Sequence, residues 1–249
     1  MRLYEIWGIE AKYPYDGRTV TKKQFKQQAS LSNQEVKLID TEIAKIKIDY
    51  GLTPQVINIK PYKDNKYMFE GIMYLTIELK EKKFVKKMAT IIHQSIPQPT
   101  FLIFKVEGEF CLSSAMKRLN THHDHPVIIE ECHVTKWFNL NKLSEIDNKF
   151  IESFSLQKLP HHDFYEFYQA IHDKFYNFNH VDEIGEYQTD YTVKNQEEIK
   201  QRVELIKEKQ NQLNQIVSKI KKETQFNKKL ELNEQAIKLQ KEIDELKSR

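Results

Sequence analysis

The chain has 249 residues, of which 39% are hydrophobic and 30% charged, with a formal net charge of +3. Its 14 Phe and 12 Tyr against 6 Gly and 7 Pro exclude a disordered, collagenous or low-complexity polymer. No apolar run approaches the roughly eighteen residues that a membrane-spanning helix needs.

Met1-Arg2-Leu3-Tyr4-Glu5 lacks a basic leader followed by an apolar stretch, so a cytoplasmic protein is expected. Cys111 and Cys132 are too few for a disulfide scaffold and read as ordinary cytosolic thiols. Charge is uneven along the chain. Residues 1–90 carry a net +6, residues 91–193 a net −7 and residues 194–249 a net +4. A nucleic-acid binder gathers its positive charge into one strong patch; here the basic excess is mild and largest in the N-terminal third, so solvated lysines are the first expectation and a weak nucleic-acid-facing surface the second.

Trp7, Tyr13, Pro14, Tyr15 and Gly17 suggest a short strand or loop packed on the core. Ser30-Leu31-Ser32-Asn33 then offers capping side chains, and Val36, Ile39, Ile43 and Ile46 follow at helical spacing. This helix is expected to stop at Gly51 and Pro54, with Val56-Ile57-Asn58-Ile59 as a strand beyond it. From Gly71 to Lys80 the residues alternate. Met73, Leu75, Ile77 and Leu79 share one face; Ile72, Tyr74, Thr76, Glu78 and Lys80 share the other.

A second helix carries Phe84, Met88 and Ile91, and ends at Pro97 and Pro99. Phe101-Leu102-Ile103-Phe104 is apolar on both faces, which suits a covered central strand. Glu107-Gly108 is a hairpin turn leading to a strand over Phe110–Met116, and Val127–Val134 makes another. Phe164, Phe167, Tyr168, Ile171, Phe175 and Phe178 form an aromatic stripe at helical spacing, which reads as core before it reads as a base-stacking platform.

The last 55 residues change character, with no Gly, Pro or Trp. Ile199, Val203, Ile206, Gln210, Leu213, Val217 and Ile220 step by four and three as a heptad seam. A second seam, Leu232, Ala236, Leu239, Ile243 and Leu246, starts out of phase with it. The break near Thr224–Lys229 fits an antiparallel helical hairpin or one staggered helix. The expected fold is α/β of the α+β kind: a mixed β-sheet with flanking helices over 1–180. An acidic linker over 181–193 and a coiled-coil arm over 194–249 complete it.

Several short pieces carry a family resemblance in order: Thr21-Lys22-Lys23-Gln24-Phe25, Leu52 through Ile59, Ile77-Glu78-Leu79-Lys80, Ser95-Ile96-Pro97-Gln98-Pro99 and Lys222 through Asn233. Together they resemble the family known as domain of unknown function 4391, found in bacteria and archaea. The resemblance implies an intracellular protein whose relatives tend to be encoded beside helicases and DNA methyltransferases of defence-type loci. It implies no activity.

The sharpest chemical constellation is Glu78-Leu79-Lys80. Metal-dependent nucleases of the restriction-endonuclease type carry Glu-x-Lys on a strand, where period-two geometry aims both side chains into one cleft to hold Mg²⁺ and phosphate. A further acid is needed; Glu70 falls on the same nominal face, Asp64 lies in the preceding turn and Glu42 on the earlier helix. The plainer reading leaves Glu78 and Lys80 solvated on an amphipathic strand. His122-His123-Asp124-His125, Cys132-His133 and His161-His162-Asp163 contain metal-ligand types but no specific spacing, so surface loops are expected and no metal.

Six glycines build neither a P-loop nor a dinucleotide fingerprint, and Ser113-Ser114 lacks a nucleophile-elbow turn. No cofactor is expected, apart from Mg²⁺ in the nuclease alternative. The leading expectation is a non-catalytic accessory subunit of a DNA-handling assembly, docking a protein partner or a second copy through the C-terminal arm. The residues expected to bind it are Ile199, Val203, Ile206, Leu213, Val217, Ile220, Leu232, Leu239, Ile243 and Leu246.

Overall fold

A computed structural model describes residues 2–28, 31–120, 127–187 and 193–248. The helices are α1 (Arg2–Ile6), α2 (Lys22–Gln28), α3 (Asn33–Glu42), α4 (Pro54–Ile57), α5 (Val85–Ser95), α6 (Glu145–Ser153), α7 (Phe164–Asn179), α8 (Val181–Ile184), α9 (Val193–Lys222) and α10 (Phe226–Lys247). The strands are β1 (Thr19–Val20), β2 (Ile43–Leu52), β3 (Tyr62–Lys63), β4 (Met68–Phe69), β5 (Ile72–Leu79), β6 (Thr100–Val106), β7 (Glu109–Leu119) and β8 (Val127–Val134). The fold is mixed α/β. Two compact units divide the chain, Met1–Tyr176 and Asn177–Arg249.

In the first unit six strands form one sheet in the order β1-β2-β5-β6-β7-β8, and β3 pairs with β4 apart from it. All neighbours in the large sheet are antiparallel except β5 and β6, which run parallel and are joined through α5. The helix expected from Val36 to Ile46 is half strand. Ser32 caps α3 in a reciprocal box with Glu35, but the helix stops at Glu42 and Ile43 begins β2. Val36-Ile39-Ile43 keeps helical spacing, while Ile46, Ile48, Tyr50 and Leu52 alternate, and in the second run period two wins.

The segment expected as a strand at Val56–Ile59 instead closes a single turn, α4. Pro54 sits at its start and Asn58, at φ 56°, ends it in the left-handed region. Trp7 through Gly17, expected as a strand or loop, form turns and irregular chain, preceded by the short helix α1, which was not expected. Glu107 (φ 49°) and Gly108 (φ 81°) make the β6–β7 turn, both in the positive-φ region that matches strand twist.

Both faces of the sheet centre are covered. On one, Leu75, Ile77, Leu102 and Phe104 pack with Met88, Ile91 and Ile92 of α5. On the other, Tyr74 stacks on Phe101 at 5.3 Å, and Trp7, Phe154 and Phe175 close over the pair. The stripe on α7 is therefore core, not a stacking platform, with Phe164, Phe167, Tyr168, Ile171 and Phe175 fully buried. Tyr74 and Thr76, on the face of β5 that also carries Glu78, are buried as well.

In the second unit, α9 and α10 fold back on each other. Ile206, Leu213 and Ile243 form the seam, flanked by Ala236, Leu239 and Leu246, and Lys209 pairs with Glu242 at 2.6 Å. No Gly or Pro makes the turn. Glu223 does, its carboxylate accepting from the backbone N–H of Thr224 (2.9 Å) and Gln225 (2.8 Å). The segment expected as an acidic linker carries α8, closed by Gly185 at φ 90°. A Cβ there would meet the Lys247 carbonyl at 2.8 Å, so the position requires glycine.

Covering both faces of a sheet buries polar groups that must find partners inside. His93 sits between Thr100 Oγ1 (2.8 Å) and Ser113 Oγ (3.0 Å), and burial pushes its pKa well below the ordinary value. Lys117 donates to the carbonyls of Ile96 (2.8 Å) and Gln98 (2.6 Å), and burial pushes its pKa down to about 7. The unfolded chain holds this proton more tightly than the folded one. The penalty on folding is thus complete below about pH 7 and is relieved as pH climbs toward the ordinary lysine range. The urea midpoint is expected to rise between pH 6.5 and 9, and Lys117→Met to flatten that rise; a flat wild-type profile would refute the assignment.

Candidate functional site

Polar side chains gather where the helical cover on the β5 face runs out. Register pairs Lys45 of β2 with Glu78 of β5, and Glu78 with Lys105 of β6, so one carboxylate lies between two lysines on three adjacent strands. Lys47 and Thr76 form the next row, and Asp49 falls at a register shift beyond it. These residues line a cavity of about 510 Å³, together with Glu10, Tyr13 and Tyr15.

Asp49 is the buried floor of the cavity. Tyr4 donates its hydroxyl to Oδ2 at 2.7 Å, Thr76 Oγ1 donates to the same oxygen, and Tyr15 reaches Oδ1 at 3.3 Å. Burial first, and the Asp49 charge second, hold the Tyr4 hydroxyl well above its usual pKa, so it remains a donor. Higher in the cavity, Lys47 lies 4.7 Å over the Tyr15 ring. Among the described residues, Glu78, Lys45 and Lys105 form no direct ion pair, so their charges face the cavity uncommitted.

Of the residues expected to carry nuclease chemistry, Glu78 alone lines this cavity. Lys80 is exposed just past the end of β5, where its backbone N–H bonds to the Glu42 carbonyl at 2.9 Å. Glu70 is exposed before the other end of the same strand. Asp64 is occupied in the β3–β4 turn, accepting from the N–H of Lys66 and Tyr67. Lys45, Lys47, Lys105 and Asp49 were not singled out from sequence; alternation along Lys45-Ile46-Lys47-Ile48-Asp49 was the signal that could have found them.

Of the arm residues, Ile199, Val203, Ile206, Leu213 and Ile243 are buried, and Ile220, Leu232, Leu239 and Leu246 are half-buried. Val217 is exposed. His161 and His162 are exposed, and His122 to His125 lie outside the described residues. Burial raises the Cys111 thiol to about 12 and the Cys132 thiol to about 11, which leaves both as inert packing groups. Among the described residues, no helix is long and apolar enough to cross a membrane.

The family model described as Domain of unknown function (DUF4391) matches residues 14–243, nearly the whole chain. The chain belongs to this family. The matched span of this DUF4391 member takes in β2, β5 and β6 with Lys45, Asp49, Glu78 and Lys105, all of α9 and α10 as far as Ile243. Neither the curated proteins nor the solved structures give a match.

The hydroxyl cage predicts a stability pattern. Asp49→Ala leaves the buried Tyr4 and Thr76 hydroxyls without their acceptor and should cost about 2–4 kcal/mol. Tyr4→Phe removes one donor of three and should cost roughly 1–2 kcal/mol, with a coupling term in the double variant. Urea denaturation measures all three; an Asp49→Ala loss within about 0.5 kcal/mol of zero would show that the cage is not holding the carboxylate.

Proposed function

We propose that this chain is a non-catalytic accessory subunit of a cytoplasmic DNA-handling assembly, of antiphage-defence or restriction-modification type, and that its C-terminal hairpin docks a protein partner. One observation carries the reading: α10 has two apolar stripes, only one of which the hairpin uses. Ile243, Leu239 and Ala236 face α9, while Phe226 (79% exposed), Leu230 (51%) and Ile237 (58%) line up on nearly the opposite side. An uncovered stripe of this kind fits a partner helix with its own apolar edge. The family resemblance supplies the partner class, a helicase or a DNA methyltransferase.

Co-purification of the tagged full chain with that helicase or methyltransferase tests the reading. Phe226→Glu combined with Ile237→Lys should reduce recovery at least about tenfold, equivalent to roughly 1.4 kcal/mol, with far-UV dichroism unchanged. Undiminished recovery with intact helicity would remove the docking role.

A second reading, a Mg²⁺-dependent nuclease, is favoured by the cavity. Glu78 and Asp49 share it with Lys45, Lys47 and Lys105, the residue types that phosphodiester hydrolysis needs for a metal and a scissile phosphate. In that reading Glu78 would hold the ion, since three hydroxyls already engage Asp49, and the lysines would neutralise the phosphate. Purified chain should then cleave linear DNA with Mg²⁺ or Mn²⁺, and Glu78→Gln or Lys105→Ala should abolish cleavage. Cleavage that survives both substitutions, or none by the wild type, eliminates this alternative.

A further inference from the structure

On the far side of the sheet from α5, β8 and α7 bring three ligand-type side chains together. Glu131 and His133 are two apart on β8 and share a face, and His172 stands over them from α7. His133 Nε2 lies 3.1 Å from Glu131 Oε1, and His172 Nε2 lies 3.3 Å from Oε2. The two rings are 4.5 Å apart, tilted by 32°, and the ligand atoms of all three residues lie within 4.8 Å of one another. The carboxylate thus straddles two imidazoles, one on each oxygen.

Three features separate this group from a chance surface cluster. First, its rings are inside the protein: His172 is fully buried and His133 is 7% exposed. Second, His133 Nε2 is buried, and among the described residues it has no hydrogen bond of acceptable geometry. The nearby Glu131 oxygen is close to it but out of line. A buried ring nitrogen left in that condition calls for a further group in the site. Third, His172 is held from behind by Ser114 Oγ, 3.0 Å from Nδ1. A hydrogen bond to the rear nitrogen is how proteins fix the ring and direct the other nitrogen at a metal.

The distances suit such an ion. Four-coordinate zinc with nitrogen ligands at about 2.0–2.1 Å and oxygen at about 2.0–2.2 Å places neighbouring ligand atoms roughly 3.3–3.5 Å apart. The observed 3.1 and 3.3 Å separations approach that edge length. Ser114, His172 and Glu131 are ordered like a hydrolase relay as well, but Ser114 is fully buried and its hydroxyl meets no substrate.

We infer that Glu131, His133 and His172 form a binding site for a divalent first-row transition metal, of which zinc is the reference ion. The protein supplies three ligands, and the partly exposed Glu131 side leaves a fourth position for water. Ser114 acts as a positioning residue for His172. The site lies on β8 and α7, away from the strands that carry Glu78, and does not depend on either reading of function above.

The full chain, stripped with chelator, is titrated with Zn²⁺ by calorimetry and with Co²⁺ by visible absorption, which reports four-coordinate geometry directly. One equivalent of each is expected, with intense Co²⁺ bands. Glu131→Gln and His172→Ala should abolish that equivalent, and Ser114→Ala should weaken it about 10- to 100-fold. Glu131→Gln decides the outcome alone should His172→Ala fail to fold, because Glu131 is only half-buried. His162→Ala, in the exposed His162-Asp163-Glu166 group, should leave binding unchanged. Absence of stoichiometric binding, or binding that persists in Glu131→Gln, or loss only in His162→Ala, overturns the inference.

Discussion

A parallel strand pair in the middle of a sheet must be covered on both faces, and β5 with β6 imposes that demand on the whole α/β unit. Helix α5 and its neighbours cover one side, and α1, α6 and α7 bring aromatic rings to the other. Every polar group beneath this cover then needs an internal partner. His93 finds two hydroxyls, Lys117 finds carbonyls, and Tyr168 donates to the Thr100 carbonyl at 2.7 Å while accepting from the Ala115 N–H. Lys45, Glu78 and Lys105, which form no direct ion pair among the described residues, sit side by side on β2, β5 and β6 and line the cavity instead.

The same constraint explains which elements could be read along the chain. Strands β5, β6 and β7, helix α5 and the aromatic helix α7 each carry a long, unmixed pattern, and each stands where that pattern puts it. Tyr74 and Thr76 share a face with Glu78 yet are buried, because alternation tells which residues share a face but not whether a distant helix covers it. At Val36 through Leu52 two periods overlap, and Ile43 belongs to both. There the β-branched alternation after Ile43 outweighs the helical spacing before it. At Val56–Ile59 the apolar run suggested a strand, while Thr53-Pro54 and Asn58 were the chemistry of a one-turn helix.

Sites assembled across the fold were the least legible. Glu78 could be singled out because Lys80 follows it at period two in the same run, but the lysines that flank it in the sheet come from β2 and β6, one on each side. His172 and Glu131 are separated by 41 residues and by a change from strand to helix, and no local spacing announces such a pair. The hairpin is intermediate. Its seam was visible as heptads, whereas the second stripe through Phe226, Leu230 and Ile237 has spacings of four and seven that merge into the same pattern.

Two buried or half-buried carboxylates in the α/β unit show why similar surroundings lead to different chemistry. Asp49 is met by the hydroxyls of Tyr4, Thr76 and Tyr15, and each of them can turn a hydrogen toward it. Neutral donors complete that arrangement, and it asks for nothing else. Glu131 is met by ring nitrogens whose directions are fixed by the backbone and by Ser114, and imidazoles cannot rotate a hydrogen into line as a hydroxyl can. His133 Nε2 therefore remains buried beside an oxygen it does not properly engage. A rigid donor set that leaves one nitrogen unmet around an anion is balanced by a small cation, which accepts ligands from any direction its coordination sphere allows.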